Sequence, residues 1–385
     1  MQPKTERVHP RPRSCECRKK DIGMKQHMLF AAIVMVGGFL FAACGDDSDD
    51  NEESLENEKA ACSDEKDNDG DGDIDCEDAD CEAYCNDTGS EPEVVYPDER
   101  HLLLRDEGNS ALHYVDMAEP DNNWHADVPQ GRDMQLVGGG RVMIGTQKGY
   151  QEYDIETGEL VDEVDTFSKT LAATRLRNGN TLLVGTDWQD EDGIVLVEVD
   201  DDAEVVRTIS NPDYSYARLV RQTADGTFLV AADKHILELD EDGAVVWEAT
   251  VEHSAKPHAW IALRLASGET VVSSGYAANL QIFDADGDLV TKIKAEGAEA
   301  HSYFYSGLQV LENGNFVVAN WQNHGTGNGD SGIQVLELNA DSEIVWSWKQ
   351  DAEYVSSLQA ALVLDGLDLD KLHVEDETGA LAPVE

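Results

Sequence analysis

The sequence predicts an all-β protein, a propeller of six blades, on three observations. A glycine turn followed by an apolar run recurs along the chain, apolar residues follow a period of two, and no helical period falls between these runs. The stretch from Arg264 to Ile293, RLASGETVVSSGYAANLQIFDADGDLVTKI, shows the unit. It reads as a tight turn at Ser267-Gly268, a strand from Thr270 to Ser274, a polar loop and a second strand from Leu280 to Phe283. An Asp-rich turn and a third strand close it. Ser-Gly, Asn-Gly and Asp-Gly supply the positive φ that short hairpins need.

The same unit returns as LVGGGRVMIG, LRNGNTLLVG, TADGTFLVAA, LASGETVVSS and LENGNFVVAN. Its turn glycines, Gly140, Gly179, Gly226, Gly268 and Gly314, lie 39, 47, 42 and 46 residues apart. The second halves align as YQEYDIETGELVDEV, IVLVEVDDDAEVVRTI, HILELDEDGAVVWEA, LQIFDADGDLVTKI and IQVLELNADSEIVWSW. A repeat of about 40 to 50 residues carrying four strands is a propeller blade.

Five blades follow from that series, and the sixth must come from both ends. Residues 101–128 hold three strands with no strand and turn glycine before them. Ser357 and the following LQAALVLDGLD resemble the innermost strands elsewhere. Pairing the two ends in one blade removes an exposed edge. Six blades are therefore expected over residues 98–385, or seven if the tail builds a whole extra unit.

The region before the propeller is of a different kind. The chain has 385 residues and a formal net charge of −51, which excludes a nucleic-acid partner. Residues 1–43 hold eight of the 28 Lys/Arg and three of the 79 Asp/Glu, so the remainder has 20 basic against 76 acidic side chains. Met24-Lys25-Gln26-His27 and the apolar run after it form a secretory signal, too short to span a membrane. Residues 1–23 read as an extension upstream of a start at Met24. The end of that signal, Leu40-Phe41-Ala42-Ala43-Cys44, resembles the bacterial lipoprotein signal, with Phe41 where that family has Leu. The resemblance implies that Cys44 is lipidated and anchors the chain in the cell envelope, at the outer membrane or surface of a Gram-negative bacterium. An ordinary signal peptide is the other reading.

Residues 44–61 are an acidic tether and 87–97 a linker, both too polar and charged to form a core. Between them, residues 62–86 match a calcium-loop pattern. Asp67, Asp69, Asp71, Asp73, Asp75 and Asp78 place oxygens on alternate or suitably spaced positions, with Gly72 at the sharp turn. Asp78 stands where an EF-hand has a bidentate Glu, and flanking helices are not predicted. Calcium is the expected ion, and a solvated linker the alternative. Cys62, Cys76, Cys81 and Cys85 form an even set in an exported chain, implying two disulfides in one of three connectivities; a zinc site is the runner-up. The segment resembles the Asp-rich, Cys-flanked repeats of deltaproteobacterial surface proteins and the calcium repeats of thrombospondins.

Blade topology assigns the functional face. Loops into the innermost strands and loops joining second to third strands gather at one end of the channel, while the short Gly turns lie at the other. The first set carries Arg132, Lys169, Arg218, Lys234, His258, His301, Trp321 and His324, with Lys148, Lys256, Trp188, Tyr216, Tyr276 and Tyr303. Cations and aromatics concentrated on one face of an acidic body point to a small anionic or sugar-like ligand. His258 and His301 are the catalytic candidates, against the alternative that both merely line a wet channel. Trp247, Trp346 and Trp348 alternate on outer strands and are assigned to packing between blades. Motifs for a nucleophile elbow, a P-loop or a zinc protease are lacking.

The pairing of xNGNxLV with D-x-x-G-x-x-VW resembles quinoprotein-like (PQQ-like) propellers over residues 98–370. True quinoprotein dehydrogenases are longer, with eight blades, so the resemblance implies the fold and no bound quinone. HSYFYSGLQVLENGN resembles the bacterial arylsulfotransferase repeat, whose family uses a His as transient sulfate acceptor. That resemblance would place the acceptor at His301 with Arg218 and Lys169 as anion clamps, although the family's extra N-terminal domain is missing. Two functions are therefore expected. One is an envelope lipoprotein whose propeller binds a small anionic or sugar-like ligand, or a protein or glycan partner, without catalysis. The alternative is an enzyme, sulfotransferase-like or lyase-like, acting on small anions or polysaccharides.

Overall fold

The computed structural model describes residues 100–384 apart from 254, 298 and 299. Cys44, expected to carry the lipid, the Asp67–Asp78 series expected to bind calcium and the four cysteines expected to pair lie outside the described residues.

Among the described residues six four-stranded antiparallel sheets form the propeller, five of them the blades of the glycine series and the sixth built from both ends of the propeller segment. The chain opens with β1 (His101–Asp106), β2 (Ala111–Asp116) and β3 (Trp124–Asp127). The second blade is β4 (Met134–Gly138), β5 (Arg141–Thr146), β6 (Gly149–Asp154) and β7 (Leu160–Val164). The third is β8 (Thr170–Arg175), β9 (Thr181–Trp188), β10 (Glu191–Val199) and β11 (Val205–Asn211). The fourth is β12 (Ala217–Gln222), β13 (Phe228–Ala232), β14 (His235–Leu239) and β15 (Val245–Thr250). The fifth is β16 (Ile261–Arg264), β17 (Thr270–Ser273), β18 (Leu280–Phe283) and β19 (Leu289–Ile293). The sixth is β20 (Tyr305–Val310), β21 (Phe316–Asn320), β22 (Val335–Leu338) and β23 (Ile344–Trp348). Then β24 (Leu358–Val363) returns to pair with β1 as the innermost strand of the first blade. This is the closure expected from the Ser357 segment. It leaves no open inner edge in that blade.

Burial explains the alternation seen in the sequence. Second strands such as β13 are buried along their length, whereas outermost strands such as β7 and β11 expose Leu160, Val161, Val205 and Val206. The five predicted turn glycines all have positive φ, from 68° at Gly140 to 89° at Gly179. In blades two to six the pairing of third to fourth strand slips by one residue at the same place. Such bulges increase local twist, which lets each sheet wrap against the next.

A repeated glutamate on the third strand ties blades together, and it was missed in the sequence reading. Glu152 pairs with Arg175 of the next blade at 2.5 Å, Glu238 with Arg264 of the next, and Glu337 with Arg100 at 2.6 Å. Glu198 instead accepts from Asn178 and Asn180 of its own blade at 2.9 and 2.7 Å. The glutamates hide in the repeat because a charged residue on a predicted strand reads as a solvent-facing position. Their satisfied partners make burial tolerable.

The tail does not build a seventh blade. After β24 it folds into a two-stranded hairpin, β25 (His373–Glu375) with β26 (Leu381–Pro383), lying over the inner strands at the turn end of the channel. Leu372 bridges to Val137 of the second blade and Ala380 to Val310 of the sixth. Arg221 on β12 holds Asp133 through both terminal nitrogens at 2.8 Å and Glu375 of the hairpin at 2.8 Å. Glu375 also accepts from Arg177 through its carbonyl. One end of the channel is thus capped by the terminal hairpin, and among the described residues the other is open.

Candidate functional site

The open end holds a cavity of about 120 Å³ lined from five blades. Its residues stand where chain geometry forces side chains inward. Arg132 precedes β4 and Arg218 lies near the start of β12. His258 and Trp260 precede β16, and Phe304 precedes β20. Tyr276 sits in the β17–β18 loop, Trp321 and His324 in the β21–β22 loop, and Gln359 on β24. Both loop classes predicted to meet at one face do so.

Trp260 is the organising ring. It is only 6 % exposed, and the guanidinium carbons of Arg132 and Arg218 each lie 5.8 Å from its ring centroid. Phe304 meets Trp260 edge-to-face at 5.4 Å, Tyr276 at 4.8 Å and Trp321 at 5.2 Å. Gly275 makes this packing feasible. Its φ is 54°, and a Cβ there would lie 2.9 Å from His258 Cδ2 and 3.0 Å from a Phe304 ring carbon. No larger residue fits without moving both rings.

Electrostatically the cavity inverts the character of the protein. Its lining includes no carboxylate, and among the described residues neither Arg132 nor Arg218 forms a salt bridge. Burial lowers the Arg132 pKa to about 10, with Arg218 adding repulsion. Burial likewise lowers Arg218, against an attraction from Asp233. The His258 imidazole is pushed down to about 4 by burial, then by Arg218 and Arg132, so it is neutral at pH 7. Four polar atoms around the cavity have no protein hydrogen-bond partner: Arg218 Nε, His258 Nε2, Trp260 Nε1 and Gln359 Oε1. Buried polar atoms left so are normally satisfied by water or a ligand.

An adjoining cavity of about 320 Å³ shares Arg132, His324 and Gln359 and adds Arg105, Glu107, Gln130 and Gln147. Glu107 accepts from the Trp321 indole at 3.1 Å and contacts His324 Nδ1 at 2.9 Å. It fixes one wall of the inner cavity and places a negative charge just outside it.

Of the predicted residues, Arg132, Arg218, His258, Trp321 and His324 come together. Lys169 does not: it is exposed and its ammonium donates to the Asp187 carbonyl at 3.2 Å. Lys234 lies in the β13–β14 turn, outside the cavity lining. His301 is exposed in the loop before β20, its φ is 39°, and its carbonyl accepts from Asn320. It is not in the lining with His258. Trp188, expected on the open face, is buried and meets Phe167 edge-to-face in the third blade. Glycine at 185 makes room for its ring. Trp346 and Trp247 pack outside as expected, under Arg100 at 4.4 Å and Arg264 at 5.0 Å. Sequence reasoning missed Glu107, Phe304 and Gln359. Glu107 stands in a β1–β2 loop of this face, where a carboxylate gives no signal for a site expected to hold an anion. Among the described residues no group of three His, Cys, Asp or Glu forms a metal site.

Fold and site together define a six-bladed propeller with a cationic, aromatic pocket at its open end. No family model matches the sequence, and no curated protein matches it either. Among solved structures it is similar to a protein of unknown function from Bacteroides caccae, with a TM-score of 0.55 at 17 % identity. That match covers 69 % of this chain and 98 % of the other. It is also similar to regucalcin, a calcium-binding protein from Agrobacterium tumefaciens, with a TM-score of 0.45 at 14 % identity over 63 % and 84 % of the two chains. Virginiamycin B lyase from Staphylococcus aureus gives 0.43 at 10 % identity over 63 % and 78 %. Likeness at these identities concerns the fold alone.

Proposed function

We propose that this chain is an envelope-tethered binding protein whose propeller captures a small anion in the open-end pocket without turning it over. One observation carries the reading: two half-buried guanidiniums share the Trp260 ring in a pocket without carboxylates, inside a chain of net charge −51. Holding two like charges together in a partly desolvated site is costly unless an anion offsets them. Arginine also offers planar paired donors suited to carboxylate, sulfate or phosphate. The tether belongs to the same proposal. It rests on the Cys44 signal, with calcium on the Asp67–Asp78 series stiffening the spacer. The test uses sulfate as probe and thermal unfolding as readout. Saturating sulfate raises the midpoint of the wild type and leaves Arg132→Gln/Arg218→Gln unmoved; equal shifts in both proteins reject the pocket as the site.

A second reading has its own support, because His258 converges with both arginines and keeps a neutral imidazole with an unpartnered Nε2. Such a group can accept a proton from a bound anion while the guanidiniums stabilise the charge that forms. Turnover lost in His258→Gln with binding retained would establish this enzyme; retained chemistry in that variant removes it.

A further inference from the structure

The walls of the inner cavity restrict the anion further. Its volume, about 120 Å³, is close to the roughly 150 Å³ of a cavity that holds one benzene ring. The inner cavity therefore takes one six-membered ring, and any larger ligand extends into the adjoining cavity. The lining is dominated by rings. Trp260, Tyr276, Phe304 and Trp321 form a herringbone, with Phe304 meeting the other three at interplanar angles of 88°, 87° and 67°. Trp260, Phe304 and Trp321 are each 4–6 % exposed and Tyr276 more so, so the rings present apolar strips to the cavity, a surface suited to another aromatic ring. A bare inorganic anion leaves those walls against water. A sugar ring needs partners for several hydroxyls, and Gln359 Oε1 is the one unpartnered side-chain oxygen among the four atoms named above.

The donors sit together. Arg132 and Arg218 both approach Trp260, and Arg218 Nε and Trp260 Nε1 lack protein acceptors. Outside this cluster, Glu107 stands in the adjoining cavity. Its carboxylate repels a second negative charge projecting that way.

Building on the anion-pocket reading, we propose that the ligand is a compact aryl or heteroaryl monocarboxylate. Its carboxylate lies on Arg132 and Arg218, and its ring lies in the herringbone of Trp260, Tyr276, Phe304 and Trp321. The larger polar cavity accommodates a neutral ring substituent. Glu107 discriminates against a dicarboxylate.

The experiment is a calorimetric titration of the intact chain with benzoate, cyclohexanecarboxylate, acetate, sulfate and terephthalate at pH 7. Benzoate binds at one site, about tenfold tighter than cyclohexanecarboxylate, the gain expected from one or two aromatic pairs. Arg218→Gln and, as a second variant at a half-exposed position, Arg132→Gln each weaken benzoate at least about tenfold, the loss of a charge-assisted contact. Terephthalate binds more weakly than benzoate, and Glu107→Gln narrows that gap. If acetate or sulfate binds as tightly as benzoate and both variants lose it, the aromatic claim fails while the anion pocket stands. If terephthalate matches benzoate in the wild type, the monocarboxylate claim fails. If benzoate binds equally to the wild type and both arginine variants, or none of the five ligands binds, the aryl ligand and the anion pocket fail together.

Discussion

A buried carboxylate reinforces the β1–β24 pairing that closes the ring, and its removal is the sharpest test of the architecture. Asp106, at the end of β1, is fully buried. It accepts from the backbone N–H groups of Ser356 at 2.8 Å, Ser357 at 2.9 Å and Asn109 at 3.2 Å, and from the Asn109 side chain at 3.0 Å. Ser356 and Ser357 lead into β24, so these bonds join the two ends of the chain across about 250 residues. Asp106→Ala orphans two buried donors. At about 1–3 kcal/mol for each, the loss is about 4 kcal/mol, a large share of the roughly 5–15 kcal/mol that holds a native domain. Asp106→Asn keeps one acceptor and loses about half as much. The pH dependence has a fixed sign. Burial favours the neutral acid, but the His113 imidazole 3.6 Å away and hydrogen bonds from the three backbone N–H groups prevail and hold the carboxyl below the usual carboxylate value. Its contribution is therefore complete above the unfolded value near pH 4 and disappears as pH falls through the lower folded value. Urea unfolding at neutral pH and again at the acid limb measures both effects. A loss under about 1 kcal/mol for Asp106→Ala, or an Asp106→Asn deficit that does not shrink in acid, refutes the role assigned to closure.

Three further outcomes follow from the same physics. Arg221→Met leaves Asp133 and Glu375 without their cation in a buried site, so it destabilises by about 3–5 kcal/mol in urea unfolding. It also speeds proteolysis of the terminal hairpin; unchanged stability would show that the hairpin is not held this way. Gly226→Ala costs about 1–2 kcal/mol, because φ is 88° with open space around the position. Gly287→Ala costs more, since its Cβ would lie 2.3 Å from the Glu248 carbonyl oxygen of the neighbouring blade; equal costs in chemical denaturation would contradict that distinction. Sulfate affinity is flat near neutrality and rises as pH falls toward 4, since a bound anion offsets the arginines that depress His258 and raises its pKa in the complex. The dependence disappears in His258→Gln, as calorimetry across pH 4–7 would show.

Much of this architecture is readable from residues alone, for identifiable reasons. Gly140, Gly179, Gly226, Gly268 and Gly314 mark a local backbone need, positive φ at a tight turn, and local needs leave local signals. The closing strand is visible because Leu358–Val363 repeats the apolar pattern of the other innermost strands. The terminal hairpin is not, since its strands are three residues long and draw their stability from inner strands far away in sequence. The site shows the same division. Arg132, Arg218 and His258 follow from blade topology, which assigns loops to a face. Whether a side chain on that face turns inward depends on contacts such as Glu107 with Trp321, 214 residues apart, or Gly275 against His258. His301 shares the loop class of His258, but its backbone leaves it exposed and outside the pocket lining.

The central claim is that the open-end pocket is an anion site, and bromide can report on it directly. Anomalous diffraction from crystals soaked in sodium bromide should show a peak within contact distance of the Arg132 and Arg218 guanidiniums, beside Trp260 Nε1. The peak should be absent in Arg132→Gln/Arg218→Gln crystals treated alike. Bromide bound elsewhere on the protein, with that pocket empty in the wild type, would contradict the account.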